Sequence, residues 1–260
     1  MQRQVLVTIV RHGETDHNKA GIIQGHLDTP LNEQGQAQAR HTAKWFRQSG
    51  IAFDRAYSSD LSRARLTAQL ILEEQEGEIE LAQDDRIRER YLGNLQGKRR
   101  GDPGTDPTTV EPAAHLRARL FAFWDSLFSA STGSSVASTG ASLSRTGDGI
   151  ETRGAGEPLR ILYVSHGAAI REFIQALIHE RSDSYDLDSL PEEERNMLLK
   201  GEKRIGNCAR TVIELNPTTT IDSDGKETTR WRGTLRLYAD DSHFVDSSRA
   251  PSPRLNADVL

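Results

Sequence analysis

The sequence predicts an α/β protein, a three-layer sandwich with a mostly parallel central sheet flanked by helices. Two runs, residues 5–10 and 159–165, are apolar almost without interruption, as a strand covered on both faces requires. Strand-like and helix-like segments alternate along most of the chain. Both apolar runs lead into a histidine–glycine pair, at the level where open α/β sheets bind ligands.

The elements follow in order. After the first strand, residues 29–50 read as a helix, with Asn32 as N-cap and Gly50 as the stop. Residues 51–59 form a short strand. The next helix, capped by Ser59 or Asp60, spaces Leu61, Ala64, Ala68 and Ile71 or Leu72 for one buried face. A loop rich in charge and turn residues precedes a helix at about 111–128, with Leu116, Leu120, Phe123 or Trp124 and Leu127 on a stripe. Residues 129–157 are Ser, Gly, Thr and Ala with almost nothing to bury, so a disordered insert is expected there. The second apolar strand, a helix after His166 and Gly167, and a short helix between Pro191 and Gly201 come next. Two late strands, at 207–216 and 230–240, flank a turn-rich stretch. The expected organisation is a single domain over 1–240 with a disordered tail over 241–260.

Composition excludes several classes. A hydrophobic share of 35% is modest, but much of the deficit sits in the polar insert and tail, so the remainder can build an ordinary core. A net charge of −5 argues against nucleic acid, whose binders need excess Lys and Arg, so any anion must be captured locally. The single cysteine, Cys208, cannot form an internal disulfide and suits a reducing compartment. No run approaches a membrane span, and the N-terminal apolar run lacks the marks of a signal peptide. These readings lead to the expectation of a cytoplasmic protein without membrane or nucleic-acid partners. They leave oligomeric state open.

If both apolar strands lie centrally in one sheet, His12 and His166 emerge at the same edge. Arg11 precedes the first histidine, and Arg63 lies in the first turn of the helix after the second strand. Two guanidiniums repel a cation, so this is a poor metal site. The same groups suit a tetrahedral oxyanion, with helix N-termini adding positive ends. A neutral imidazole is also a nucleophile, so His12 or His166 could accept a phosphoryl group. An alkoxide leaving group then calls for an acid, and Asp84, Asp85 and Glu89 all lie in a suitable loop. Arg88 and Arg90 beside Glu89 favour its ionised form in water, so an acid role there demands burial or nearness to the substrate's charge.

The stretches VRHGETDHN, IIQGHLDTPLNEQG, YSSDLSRARLTA, RERYLGNLQG, YVSHGAAIREF and IGNCARTVIEL, in this order, resemble the histidine phosphatase superfamily, in its phosphoglycerate-mutase-like branch. The resemblance implies that His12 is the nucleophile that becomes phosphohistidine. It implies that Arg11, Arg63 and His166 clamp the phosphoryl oxygens, with Asn18 lining the pocket and Gln24 and Gly25 beside the leaving group. Glu89 matches the general acid that later activates water, and Arg90 and Tyr91, in the same motif, are expected to contact substrate. No metal or other cofactor is implied.

The expected partner is a small phosphorylated substrate of the sugar phosphate class, and the expected activity is phosphomonoester hydrolysis, similar to fructose-2,6-bisphosphatase and TIGAR-like phosphatases. One alternative is a cofactor-dependent phosphoglycerate mutase. Against it, Ala168 follows the second His-Gly where mutases carry asparagine, and a long basic insertion is missing between about residues 101 and 111. The other alternative is a binding or regulatory protein on the same fold. The basic run Lys98, Arg99 and Arg100 reads as a solvated loop or as a receiver for a second anionic group. Cys208 runs into an apolar strand and Ser165 has no nucleophile elbow, which excludes cysteine-phosphatase and serine-hydrolase chemistry.

Overall fold

The computed structural model describes residues 3–99, 101–104, 106–129, 156–221 and 227–244. Its strands are β1 (Val5–Arg11), β2 (Arg55–Ser58), β3 (Leu81–Gln83), β4 (Leu159–Ser165), β5 (Tyr185–Asp186), β6 (Arg210–Ile221) and β7 (Glu227–Asp240). They form one seven-stranded sheet in the order β3-β2-β4-β1-β6-β7-β5. Every neighbouring pair is parallel except those made by β6, which runs antiparallel to both β1 and β7. The mostly parallel α/β sheet is thereby as expected.

Helices cover both faces of the sheet, which is why β1 and β4 are apolar over most of their length. Val5, Val7 and Ile9 of β1 pack with Leu116, Leu120, Phe123 and Trp124 of α4 (Ala113–Ser129) and with Phe173 and Ile174 of α5 (Gly167–Glu180); the short helix that follows β1 is α1 (Asp16–Ala20). On the other face, Val10, Leu162 and Val164 meet Ala39, Ala43 and Phe46 of α2 (Glu33–Gln48) and Ala64, Ala68 and Ile71 of α3 (Ser62–Leu72). The last helix is α6 (Glu192–Leu199). Truncating a fully buried ring such as Phe46 or Phe173 to alanine removes packing worth ~3–5 kcal/mol.

Strand register places the site. In the parallel pair β1·β4, Arg11 lies opposite Ser165, so both central strands end at one level and pass straight into His12 and His166. The His12 N–H donates to the Ser165 carbonyl at 3.0 Å, which holds the two exits together. β2 ends beside them, with Ser58 opposite Val164, and leads into α3 and Arg63.

Several elements differ from expectation. The α3 N-cap is Leu61, not Ser59 or Asp60, and its side chain makes no cap. Asp28, from a distant loop, takes the Ser62 N–H instead, while Asp60 is held by Arg88. β6 and β7 extend through much of the stretch expected to be a turn, pairing as far as Ile221 with Glu227. The tail expected from Asp241 begins with an ordered 3-10 turn, Ser242–Phe244, whose His243 is buried against α2. The rest of the tail and residues 130–155 of the expected insert lie outside the described residues.

Candidate active site

His12 and His166 are fully buried, with ring centroids 5.2 Å apart. His12 Nδ1 lies 2.7 Å from the Gly13 carbonyl oxygen. A carbonyl only accepts, so Nδ1 carries the proton and the lone pair resides on Nε2. No described residue bonds to Nε2 of His12 or to either ring nitrogen of His166. Burial pushes the His12 pKa well below the ordinary imidazole value, and the Arg63 and Arg11 guanidiniums push it further. Burial likewise leads for His166, followed by Arg63, His12, Arg11 and His26. Both imidazoles are therefore neutral at pH 7.

The glycines of the two His-Gly pairs have packing roles. A Cβ on Gly13 would collide with the carbonyl oxygen of Gly35, in the first turn of α2. A Cβ on Gly167 would come within 3.2 Å of Arg11 Nε, so this glycine leaves room for the guanidinium. Arg11 also donates through Nη1 to the Ile205 carbonyl at 2.8 Å. Arg63 donates Nη1 to Leu27 O and Nη2 to Gly25 O, each at 2.7 Å, so it orders the turn that carries Gln24 and Gly25. Thr67, one helical turn after Arg63, bonds the Arg63 carbonyl and accepts the Gly13 N–H at 3.0 Å.

Asn18 and Gln24 are buried in the same network. Gln24 Oε1 accepts from Thr15 Oγ1 at 2.9 Å and from Thr29 Oγ1, and the Asn18 amide oxygen accepts the Thr15 N–H at 3.3 Å. Asn207 donates Nδ2 to the His12 carbonyl at 3.0 Å. Residue 207 was expected in a strand. β6 starts only at Arg210, and because it is antiparallel to β1 its approach loop falls at the site edge.

Glu89 is 1% exposed. Its Oε1 accepts the N–H groups of Ala169 at 2.8 Å and Arg90 at 2.9 Å, and its Oε2 accepts that of Ala168 at 3.1 Å. The carboxylate thus sits on the first turn of α5, next to His166, the α5 N-cap. Helix N-termini were expected to add positive ends beside the oxyanion, and here their first amides meet carboxylates of the protein itself. Those amides need partners, and at α5 and α3 the protein supplies Glu89 and Asp28. Arg88 forks onto Asp60, with Nε 2.7 Å from Oδ1, which answers part of its charge beside Glu89.

Arg90 and Tyr91 adjoin Glu89 and are held by neighbouring groups of their own. Arg90 Nε donates to the Glu111 carbonyl at 2.8 Å, and the exposed Tyr91 ring stands edge-on to His26 at 5.3 Å. Lys98 Nζ is held by the Gly104 carbonyl at 2.7 Å, Arg99 is exposed, and Arg100 lies outside the described residues. Burial pushes the Cys208 thiol up to about 12, far from a thiolate nucleophile. Sequence reasoning missed Thr67 and Asn207 as members of the site. Among the described residues no cluster of His, Cys, Asp or Glu is arranged to hold a metal ion, and no helix is long and apolar enough to cross a membrane.

Residues 7–191 match the family model of the histidine phosphatase superfamily (branch 1). The chain belongs to this superfamily. A broad-specificity phosphatase of Saccharomyces cerevisiae is 42% identical over 90 residues, 34% of this chain and 39% of that protein. Fructose-2,6-bisphosphatase TIGAR of Xenopus tropicalis is 32% identical over 209 residues, 67% of this chain and 75% of its own. A mycobacterial glucosyl-3-phosphoglycerate phosphatase, solved with VO3, superposes with a TM-score of 0.59 at 26% identity, covering 91% of this chain and 99% of that one. The chain spans between 39% and 58% of the length of the first curated relatives it matches, which include a 2,3-bisphosphoglycerate-dependent phosphoglycerate mutase of Parvibaculum lavamentivorans.

Proposed function

We propose that this histidine phosphatase superfamily member hydrolyses a small phosphomonoester of the sugar phosphate class through a phosphohistidine on His12. The observation that carries the reading is the tautomer of His12, whose Nδ1–H is committed to the Gly13 carbonyl so that the Nε2 lone pair is available to phosphorus. Nothing comparable orients His166, whose two ring nitrogens have no partner among the described residues. His166, Arg11 and Arg63 then serve as donors to the phosphoryl oxygens, where charge spreads in the transition state.

In the first step Nε2 attacks phosphorus and the ester P–O bond breaks. Protonated Glu89 gives its proton to the departing alkoxide. In the second step water attacks the phosphohistidine and gives a proton to the Glu89 carboxylate. The P–N bond breaks, its electron pair returns to Nε2, and inorganic phosphate leaves. Asn18, Gln24 and Gly25 frame the pocket, and Arg90 and Tyr91 border the leaving group. The sugar phosphate class rests on the names of the relatives, a fructose-2,6-bisphosphatase and a glucosyl-3-phosphoglycerate phosphatase.

The matching mutase raises the second reading, in which the phosphoryl group returns to an organic acceptor rather than to water. One pair of assays separates the two. A panel of sugar phosphates should release inorganic phosphate, whereas 3-phosphoglycerate with its bisphosphate should yield no 2-phosphoglycerate. Isomerisation without phosphate release would replace the hydrolase reading with the mutase. Silence in both assays would point to a binding protein.

A further inference from the structure

We infer that Arg119 of α4, paired with Glu111, is the positioning residue for the acid–base loop; this rests on the role proposed for Glu89. The segment that carries Glu89 has almost no secondary structure of its own, only 3-10 turns at Asp85–Ile87 and Gly93–Leu95. No strand ladder fixes it. Side chains do so instead, through the carbonyls of four successive residues.

Arg119 Nη1 donates to Arg86 O at 2.7 Å and to Arg88 O at 2.8 Å, and Nη2 donates to Glu89 O at 2.7 Å. Ser165 Oγ, one residue before His166, takes Ile87 O at 2.8 Å. The remaining Arg119 donors go to Glu111, from Nε to Oε1 at 2.8 Å and from Nη2 to Oε2 at 2.9 Å. All five guanidinium N–H groups are thus used. Glu111 extends the clamp, since its Oε2 accepts the Tyr91 N–H at 3.0 Å and its backbone N–H donates to Tyr91 O at 2.8 Å.

The Glu89 carbonyl also accepts from His26 Nε2 at 2.7 Å. His26 lies in the turn whose Gly25 and Leu27 carbonyls are held by Arg63. One carbonyl therefore joins the acid to the phosphate-binding turn on one side and to α4 on the other. Meanwhile the amides of α5 aim its carboxylate. A shift of about 1 Å in such a group can cost on the order of 100-fold in rate. Lysine cannot substitute, because one ammonium cannot span three carbonyls and fork onto a carboxylate.

The test compares kcat/KM for p-nitrophenyl phosphate, whose leaving group needs little protonation, with that for glycerol 2-phosphate, whose alkoxide needs it. Wild type, Glu89→Gln, Arg119→Gln, Glu111→Gln and the Glu89→Gln/Arg119→Gln double variant are measured, each with its melting temperature. Arg119→Gln should lower the alkyl ester about 100-fold and the aryl ester less than about 5-fold, and it should add no loss once Glu89 is gone. Glu111→Gln, which keeps Arg119, should show the same preference more weakly, and it carries the test if Arg119→Gln does not fold. Equal losses on both esters, or additive losses in the double variant, would reduce Arg119 to scaffold and overturn the inference. If Glu89→Gln discriminates between the esters and neither Arg119→Gln nor Glu111→Gln does, the inference alone fails. If Glu89→Gln does not discriminate, the acid role of Glu89 fails and the inference falls with it.

Discussion

At the scale of single residues, the chemistry rests on an imidazole that is both neutral and oriented. Burial, then Arg63 and Arg11, keep His12 well below the usual histidine range, so acidification through pH 6.5 should leave it unprotonated. With rates corrected for the substrate's own second ionisation, near 6, kcat/KM should show no loss from His12 protonation as pH falls from 7.5 to about 6. A loss of activity with a midpoint near 6.5 would show an ordinary imidazole instead. The strand-end residues His12, His166, Arg11 and Arg63 were legible in the sequence because each stands at or just beyond a recognisable strand. Glu89 was legible only through family resemblance, since its partners Ala168 and Ala169 are 79 and 80 residues away and contribute only backbone amides. The roles of Arg119 and Asn207 were not legible because the groups that tie them to Glu89 and His12 are backbone carbonyls, which have no residue-type signature.

At the scale of elements, apolar continuity marked β1 and β4 correctly, and Asn32 marked the start of α2. Short elements escaped. β3 and β5 have three and two residues, and the five-residue α1 is too brief to show a helical period. The β6·β7 ribbon was read as turn over 217–221 because it contains Pro217 and a threonine run, yet Pro217 pairs with Trp231 within the ladder. The missed 3-10 turn after β7 carries a consequence for stability. His243 bonds Thr42 Oγ1 at 3.0 Å, and burial above all, with Arg210 adding, lowers its pKa to about 3. Its folded pKa is below its unfolded value, so the unfolded chain binds the extra proton. Stability is therefore full above about pH 6.5 and falls as pH drops toward 3, at up to about 1.4 kcal/mol per pH unit for this group. Denaturant unfolding of His243→Gln between pH 4 and 7 should show a slope shallower by about one proton. An unchanged slope would mean that His243 titrates alike in both states.

At the scale of the whole molecule, a chain of net charge −5 concentrates cationic groups at one sheet edge, so anion affinity is local rather than global. Orthovanadate should stabilise the protein by about 2.7 kcal/mol at a hundredfold excess over Kd, read as a rise in melting temperature. Arg63→Gln should remove most of that rise, and an equal rise in this variant would place the anion elsewhere. The most direct test of the central claim is rapid acid quenching with a 32P-labelled sugar phosphate, followed by mapping of the labelled peptide. The label should be base-stable, acid-labile and carried by His12, and it should vanish in His12→Ala. Label on His166, or turnover with no labelled protein at any quench time, would contradict it.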